Sequence, residues 1–227
     1  MTWLAIDTAT DRASVALGGP AGILATGSII GARHHAAALL PAIETCLAQA
    51  GIGYPDVEGV VLADGPGSFT GLRVGATVVR GLVRARRMPC WVAPSLLVMA
   101  AGAAAVGDEV VLAVSNALRG ELFAAAYRFL PGRVDVVLRP TVLTPADLSR
   151  RLPQPGRCVG PSAQVVGGQP TWPEAADLLR LVGRAGGVRL LPDPARWQPE
   201  YGRPAEAQAK WEREHGRPLV DSSGHRS

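Results

Sequence analysis

The order of strand-like and helix-like segments over the first 105 residues constrains the fold of this chain most strongly. Short apolar runs bounded by turn residues predict strands, and apolar residues repeated at three or four positions predict helices. The resulting order, β-β-β-α-β-α-β-α, is typical of a mixed sheet with helices on its faces. The predicted strands are residues 3–7, 13–17, 23–29, 57–63 and 90–93, and the predicted helices are residues 35–50, 70–87 and 95–105.

The second half of the chain begins with the same order and then becomes shorter. We predict an N-terminal lobe of residues 1–106, a smaller second lobe of residues 107–195, and a C-terminal segment of residues 196–227 that ends in a disordered tail. The second-half elements are strands at residues 110–114, 122–129 and 134–138, and short helices at residues 145–152 and 175–183.

Composition excludes several classes of protein. With 227 residues, 48% of them hydrophobic, the chain can bury a core, and its net charge of +4 is weak evidence for direct contact with nucleic acid. Three widely separated cysteines argue against a disulfide framework or a zinc site. The apolar runs are shorter than the roughly 20 residues that cross a bilayer, and the N-terminus lacks the basic region of a signal peptide. We therefore expect a cytoplasmic protein without a membrane segment.

Two turns carry residues that suit phosphate chemistry. Asp7, Thr8 and Thr10 follow the first strand, and residues 64–71 form a glycine-rich loop between a strand and a helix. Such a loop can direct free amides at an anion, and a carboxylate can hold hydrated Mg²⁺. The loop matches neither a P-loop nor a dinucleotide-binding fingerprint, and Asp7 with Thr8 also fits a simple turn cap. The candidate phosphate or nucleotide residues are Asp7, Thr8, Thr10, Gly65, Gly67 and Ser68.

A second candidate site is a contact surface for a partner. Gly71 and Gly75 lie one helical turn apart, and the missing side chains allow another backbone to approach closely. The surface they contact is then a helix of the same chain or of a partner. Arginines share a face of the same helix, which is consistent with a solvated stripe, an acidic partner or RNA phosphates. The predicted interface residues are Leu40, Ile43, Leu47, Gly71, Gly75, Val78, Arg73 and Arg80.

Three segments together closely resemble one known family. Residues 4–10, His35 with residues 39–41, and residues 65–75 are similar to the TsaB family, also called YeaZ. That family is the dimerisation subunit of the bacterial machinery that makes N6-threonylcarbamoyladenosine at position 37 of tRNA. Residues 116–121 and 199–204 resemble two further family segments, with Asn116 at a position that is acidic in the family.

The resemblance implies a fold and a set of partners. The fold is of the actin, Hsp70 and sugar-kinase type, with two lobes that each have a mixed sheet covered by helices. The implied partners are a TsaD-like catalytic paralogue and a TsaE-like ATPase, with tRNA reached through the complex and a homodimer formed when the chain is alone. The implied reaction is threonylcarbamoyl transfer to adenosine 37 of tRNAs that read ANN codons.

The same resemblance implies that the chain is not itself catalytic. TsaD-like chains carry a His-x-x-x-His metal pair before their third helix, and the corresponding positions here are Ser95 and Met99. Neither side chain replaces imidazole as a ligand for a catalytic metal. Because His34 and His35 are adjacent, they point in different directions on a helix, and we expect no metal site there. We also expect no cofactor in the isolated chain, so that any ATP or ADP with Mg²⁺ belongs to the complex.

The alternative function is enzymatic. A small ATPase or kinase would use Asp7 for Mg²⁺ and residues 64–71 for phosphate. Such an enzyme also needs a second phosphate loop and a placed acid or base, and the second half offers no clear motif for either. A metallopeptidase is less consistent with the sequence, because no ligand set is present.

Overall fold

The computed structural model describes residues 1–19, 21–107 and 109–203. The strands are β1 (Trp3–Asp7), β2 (Arg12–Gly19), β3 (Gly22–Ile30), β4 (Gly59–Ala63), β5 (Cys90–Ala93), β6 (Val110–Asn116), β7 (Leu122–Leu130), β8 (Arg133–Leu143), β9 (Arg157–Val159) and β10 (Arg189–Leu190). The α-helices are α1 (His35–Ala50), α2 (Phe69–Arg86), α3 (Ser95–Ala103), α4 (Pro145–Arg151) and α5 (Ala175–Leu181). Short 3-10 turns lie at Ala32–His34, Tyr54–Asp56 and Ala163–Val166.

The first sheet has six strands in the order β10-β5-β4-β1-β2-β3. Strands β1, β2 and β3 form an antiparallel meander, as their alternation with turn residues predicts. Strand β4 pairs in parallel with β1, and β5 pairs in parallel with β4. Parallel pairs need long crossover connections, and here α1 lies on the path to β4 and α2 on the path to β5. The carboxyl ends of β1, β4 and β5 therefore lie at the same edge of the sheet.

The second sheet repeats this plan in a shorter form. Its order is β8-β7-β6-β9, in which β6, β7 and β8 form an antiparallel meander and β9 pairs in parallel with β6. Both sheets thus place a parallel strand beside the first strand of a three-stranded meander. This repeat confirms the predicted fold class, a mixed α/β fold of the actin, Hsp70 and sugar-kinase type with two helix-covered sheets.

Helices separate the two sheets and cover their outer faces. Helices α1 and α2 pack side by side on the outer face of the first sheet, over a core that includes Leu4, Ile6 and Leu62. Helix α3 lies between the sheets, where six of its seven buried residues join a core that also contains Trp3 and Tyr127. Such burial on every side matches its apolar composition.

Two late elements return to the first sheet. Helix α5 packs on β1, β2 and β4 and also on α3, and β10 pairs with the edge strand β5. Both fall within the range 107–195 that was predicted as the second lobe, although their contacts are largely with the first. The boundary near residue 107 stays a prediction, and the predicted tail from residue 221 lies outside the described residues. Within the described residues, no helix is both long and apolar enough to span a bilayer.

Candidate functional site

The turn after β1 and the glycine-rich loop after β4 pack directly against each other. The Ser68 N–H donates to the Ala9 carbonyl oxygen at 2.7 Å. A Cβ at Gly67 would overlap that same oxygen, and a Cβ at Gly71 would overlap the carbonyl oxygen of Thr8. The missing side chains therefore allow two backbone segments of one chain to touch.

Three backbone donors of the loop, at Gly65, Ser68 and Gly71, are used within the protein. The Gly65 N–H donates to the Ser95 hydroxyl at 3.0 Å, and the Gly71 N–H donates to the Ser68 hydroxyl at 3.2 Å. The second of these bonds caps the start of α2. Thr10 also has a local role, since its hydroxyl accepts the Arg12 N–H and donates to the Arg12 carbonyl. A phosphate cradle needs several free amides directed at one anion, and the amides of Gly65, Ser68 and Gly71 are already engaged within the protein.

Asp7 is fully buried at the end of β1. Its Oδ1 accepts the Ala9 N–H at 3.0 Å, and its Oδ2 has no hydrogen-bond partner among the described residues. Burial raises the pKa of Asp7 from 3.8 to about 7. A carboxylate without access to solvent cannot bind a hydrated cation in this conformation, so the residue does not fit a Mg²⁺ ligand. The contact with Ala9 matches the simpler interpretation, a turn cap.

The predicted partner interface has eight residues, and the prediction is wrong for four of them. Gly71 and Gly75 are buried against the first sheet, and a Cβ at Gly75 would lie 2.5 Å from Thr8 Oγ1 and 3.2 Å from Leu62 Cδ1. Ile43 and Leu47 of α1 are buried in the same core, with exposed fractions of 0% and 4%. These residues are buried within their own lobe, so they are not accessible to a partner. The spacing of Gly71 and Gly75 predicted that another backbone comes close to α2, but it did not predict which part of the protein that is.

The other four predicted residues lie nearer the surface. Leu40 is 46% exposed, Val78 is half-buried, and Arg73 is exposed with its guanidinium 4.4 Å from the centre of the Phe69 ring. Arg80 turns toward its own chain, since its Nε donates to the Pro194 carbonyl at 3.1 Å. We define the outer face as a set of exposed and half-buried residues in the N-terminal parts of α1 and α2, namely Ala36, Ala37, Leu40, Pro41, Arg73, Val74, Thr77 and Val78.

A C-terminal strap, residues 194–203, crosses from the first lobe to the second. The Glu200 N–H donates to the Asp64 carbonyl at 2.7 Å, and the Tyr201 ring lies 4.6 Å from the Phe69 ring. Arg203 then forms an ion pair with Glu121, next to the turn between β6 and β7. The strap therefore fastens the glycine-rich loop to the second sheet. The family resemblance singled out residues 116–121 and 199–204 as separate segments, and nothing in the sequence indicated that they are in contact.

Comparison with known proteins agrees with this architecture. A family model described as TsaD: tRNA N6-adenosine threonylcarbamoyltransferase matches residues 29–163. The chain is 34% identical to the Escherichia coli tRNA threonylcarbamoyladenosine biosynthesis protein TsaB over 194 residues, which cover 85% of this chain and 82% of that protein. The Bacillus subtilis protein of the same name is 28% identical over 70% of this chain and 69% of its own length.

This chain belongs to the TsaB (YeaZ) family.

Solved structures of TsaB (YeaZ) proteins have the same fold. A Pseudomonas aeruginosa protein described as similar to the peptidase YEAZ aligns with a TM-score of 0.73 and 28% identity, over 89% of this chain and 99% of that one. The structure of YeaZ from Pseudomonas aeruginosa aligns with a TM-score of 0.67 and 29% identity, over 80% of this chain and 90% of that one. The likeness covers both sheets rather than the first lobe alone.

The positions expected to differ from TsaD-like chains have packing roles in this member of the family. The Ser95 hydroxyl accepts the Gly65 N–H, and the Ser95 N–H donates to the Gly65 carbonyl at 2.7 Å. Met99, one turn later, is 2% exposed in the core between the sheets. Within residues 1–19, 21–107 and 109–203, no three His, Cys, Asp or Glu side chains cluster as metal ligands would.

Proposed function

We propose that this chain is the non-catalytic partner subunit of a complex that makes N6-threonylcarbamoyladenosine in tRNA. It binds a TsaD-like catalytic subunit and supports threonylcarbamoyl transfer to adenosine 37 of tRNAs that read ANN codons. The names of its relatives support the pathway, because the Escherichia coli and Bacillus subtilis proteins are both called tRNA threonylcarbamoyladenosine biosynthesis protein TsaB.

The outer face of α1 is the observation that carries this proposal. Glu44 is the sole carboxylate or lysine/arginine side chain in this 16-residue helix. The exposed residues are Ala36, Ala37, Leu40 and Pro41 in its first half and Glu44, Thr45, Ala48 and Gln49 in its second half. A helix on the surface of a monomer normally carries charged residues on its exposed side. An apolar, weakly charged exposed side indicates a surface that another protein covers.

Helix α2 extends this surface and gives it a charged border. Val74 and Val78 are half-buried beside α1, and Arg73 and Arg84 are exposed on the same helix. Specific interfaces commonly have an apolar centre and a polar rim. We propose that a TsaD-like subunit covers this centre and meets the arginines with acidic residues, and that a second copy of this chain takes its place when the chain is alone.

The geometry of the site favours the role of a non-catalytic partner subunit over catalysis by this chain. Asp7 is enclosed, the loop amides at Gly65, Ser68 and Gly71 are engaged, and Ser95 and Met99 occupy the positions of the TsaD metal pair. Any ATP or ADP with Mg²⁺ would then bind at the level of the complex, where a TsaE-like ATPase is the expected third member. The tRNA would likewise be reached through the complex.

Co-purification with the TsaD-like subunit of the same organism tests the proposed surface. Leu40→Glu places a charge at the centre of the outer face, and we expect recovery of the complex to fall on the order of 10-fold or more. Val165→Glu is the matched control, because Val165 is 59% exposed on a turn of the second lobe. We expect it to co-purify as the wild type does.

Two results would contradict the proposal. Equal recovery with Leu40→Glu and the wild type would place the partner elsewhere, and unchanged adenosine modification in cells lacking this chain would remove it from the pathway. The second measurement needs mass spectrometry of tRNA nucleosides from a deletion strain, complemented by the wild type or by Leu40→Glu. We expect complementation by the wild type and a strong loss with the variant.

A further inference from the structure

A cavity of about 600 Å³ lies between the lobes, away from the outer face. Asp64 directly follows β4 and Pro94 directly follows β5, and both residues line the cavity. The cavity thus opens at the carboxyl ends of two parallel strands, which is where open α/β sheets commonly bind small molecules. Strand β8 forms the opposite wall, and the strap residues Glu200 and Gly202 lie at its margin.

The wall of this cavity is largely apolar. Phe123 of β7 and Val142 of β8 line the cavity from the second sheet, and Pro66 and Pro94 add two rigid rings. A volume of this size falls within the roughly 300–1,000 Å³ usual for ligand pockets. Such a wall suits a flat hydrocarbon or aromatic body rather than an inorganic ion alone.

Two arginines supply the polar part of the cavity. Arg189 donates through Nη2 to Asp64 Oδ2 at 3.2 Å, which neutralises that buried carboxylate and leaves the Arg189 Nε and Nη1 without partners among the described residues. Arg139 of β8 is exposed on the opposite wall and forms no ion pair within the described part of the chain. Glu200 is exposed at the margin, where water screens its charge.

We propose that this cavity binds a small organic anion, with the acidic group held by Arg139 and Arg189 and the apolar body packed against Phe123 and Val142. Guanidinium groups suit carboxylate and phosphate oxygens because several N–H donors lie in one plane. The bound molecule would contact both lobes and the strap at once. This inference does not rest on the proposed function, since the outer face lies on the other side of the first sheet.

The site can be tested with phenyl phosphate, which combines an aromatic ring with a dianionic head. The full chain, labelled with ¹⁵N, is titrated and followed by amide chemical shifts, with calorimetry for the affinity. We expect saturable binding with shifts centred on Thr141, Gly186 and Arg189. Inorganic phosphate and benzyl alcohol each carry half of the chemistry, and we expect each to bind at least about 10-fold more weakly.

Variants that each remove one charge test the direction in which the affinity for phenyl phosphate changes. Arg139→Gln should weaken phenyl phosphate binding about 10-fold, because a charge-assisted contact is lost. Glu200→Gln should strengthen it about twofold, because a like charge at the margin is removed. Arg151→Gln on α4 is the control, since Arg151 is exposed outside the cavity and should leave binding unchanged.

Several outcomes would overturn the proposal. Phenyl phosphate is titrated up to 10 mM, on the order of the dissociation constants of the weakest specific ligands. If no saturable binding is seen, the cavity is not a site for such an anion. If benzyl alcohol binds as tightly as phenyl phosphate, the site does not recognise the acidic group. If inorganic phosphate binds as tightly, the site does not recognise the apolar body. Stronger binding of phenyl phosphate by Arg139→Gln, or weaker binding by Glu200→Gln, would show that its acidic group does not lie at the arginines and would overturn the proposal. A block of binding by Thr141→Trp, which fills the cavity from β8, is the expected confirmation of its location.

Discussion

Arg203 and Glu121 form an ion pair that joins the end of the strap to the second sheet, although 82 positions separate them in the chain. The pair lies beyond the contact of Tyr201 with Phe69, so the strap is held at both lobes. Since the side chains are 25% and 34% exposed, the pair is partly screened by solvent.

We expect Arg203→Ala to lower the free energy of unfolding by about 1 kcal/mol, which is the upper range for a partly exposed ion pair. Glu121→Ala should have a similar effect, and the double variant should cost less than the sum, because the two residues share one interaction. Urea unfolding of all four proteins measures this coupling. Strict additivity of the two single effects would show that the pair contributes nothing.

Gly71 and Gly81 of α2 should respond to alanine in opposite directions. Alanine at position 71 would overlap the Thr8 carbonyl, and we expect a loss of about 2–4 kcal/mol in unfolding free energy. Position 81 is exposed with open space around it, so alanine there should add about 0.5–1 kcal/mol through helix propensity. Thermal or urea unfolding compares them. A mild effect at position 71 would contradict the packing of α2 on the turn after β1.

Asp7 should make the protein less stable as the pH rises toward neutrality. Its pKa of about 7 in the folded state exceeds the value of 3.8 for an exposed aspartate, so folding favours the protonated form. The favourable contribution is complete below about pH 4 and is lost as the pH rises to about 7. Asp64 and Asp177, each with a pKa of about 6, contribute in the same direction at lower pH.

The variant Asp7→Asn isolates this effect, because the amide keeps an acceptor for the Ala9 N–H and cannot ionise. We expect it to be more stable than the wild type at pH 8 by a few kcal/mol, with a smaller difference at pH 5. Urea unfolding between pH 5 and pH 8 measures both slopes. Parallel curves for the two proteins between pH 6 and pH 8 would show that Asp7 ionises normally.

Ser95 should stabilise the fold through its hydroxyl rather than through chemistry. Ser95→Ala leaves the buried Gly65 N–H without its acceptor, and we expect a loss of about 1–3 kcal/mol. Ser149→Ala, on the exposed side of α4, removes a hydroxyl that contacts the Pro145 carbonyl and should change stability by less than about 0.5 kcal/mol. Comparable losses in both variants would argue against a special role for Ser95.

Much of the architecture could be predicted from local sequence pattern. Helix α1 and strands β1 and β5 were predicted with the bounds that the structure has, and the order of the first eight elements is correct. These elements have a clear period and definite stops, such as Gly51 after α1, which adopts a left-handed conformation. The short strands β9 and β10 were missed, because segments of three and two residues carry no measurable period.

The sequence by itself determined the order of the first eight elements, the mixed α/β class and the presence of a close backbone approach at Gly71 and Gly75. Tertiary structure alone decided that this approach is to Thr8 and Leu62 of the same chain, that Asp7 is enclosed, and that Arg203 reaches Glu121. The physical reason is the distance along the chain over which each effect acts. Periodicity and turn preference act over a few neighbouring residues, whereas burial, pKa and long-range pairing depend on which distant segments the folded chain brings into contact.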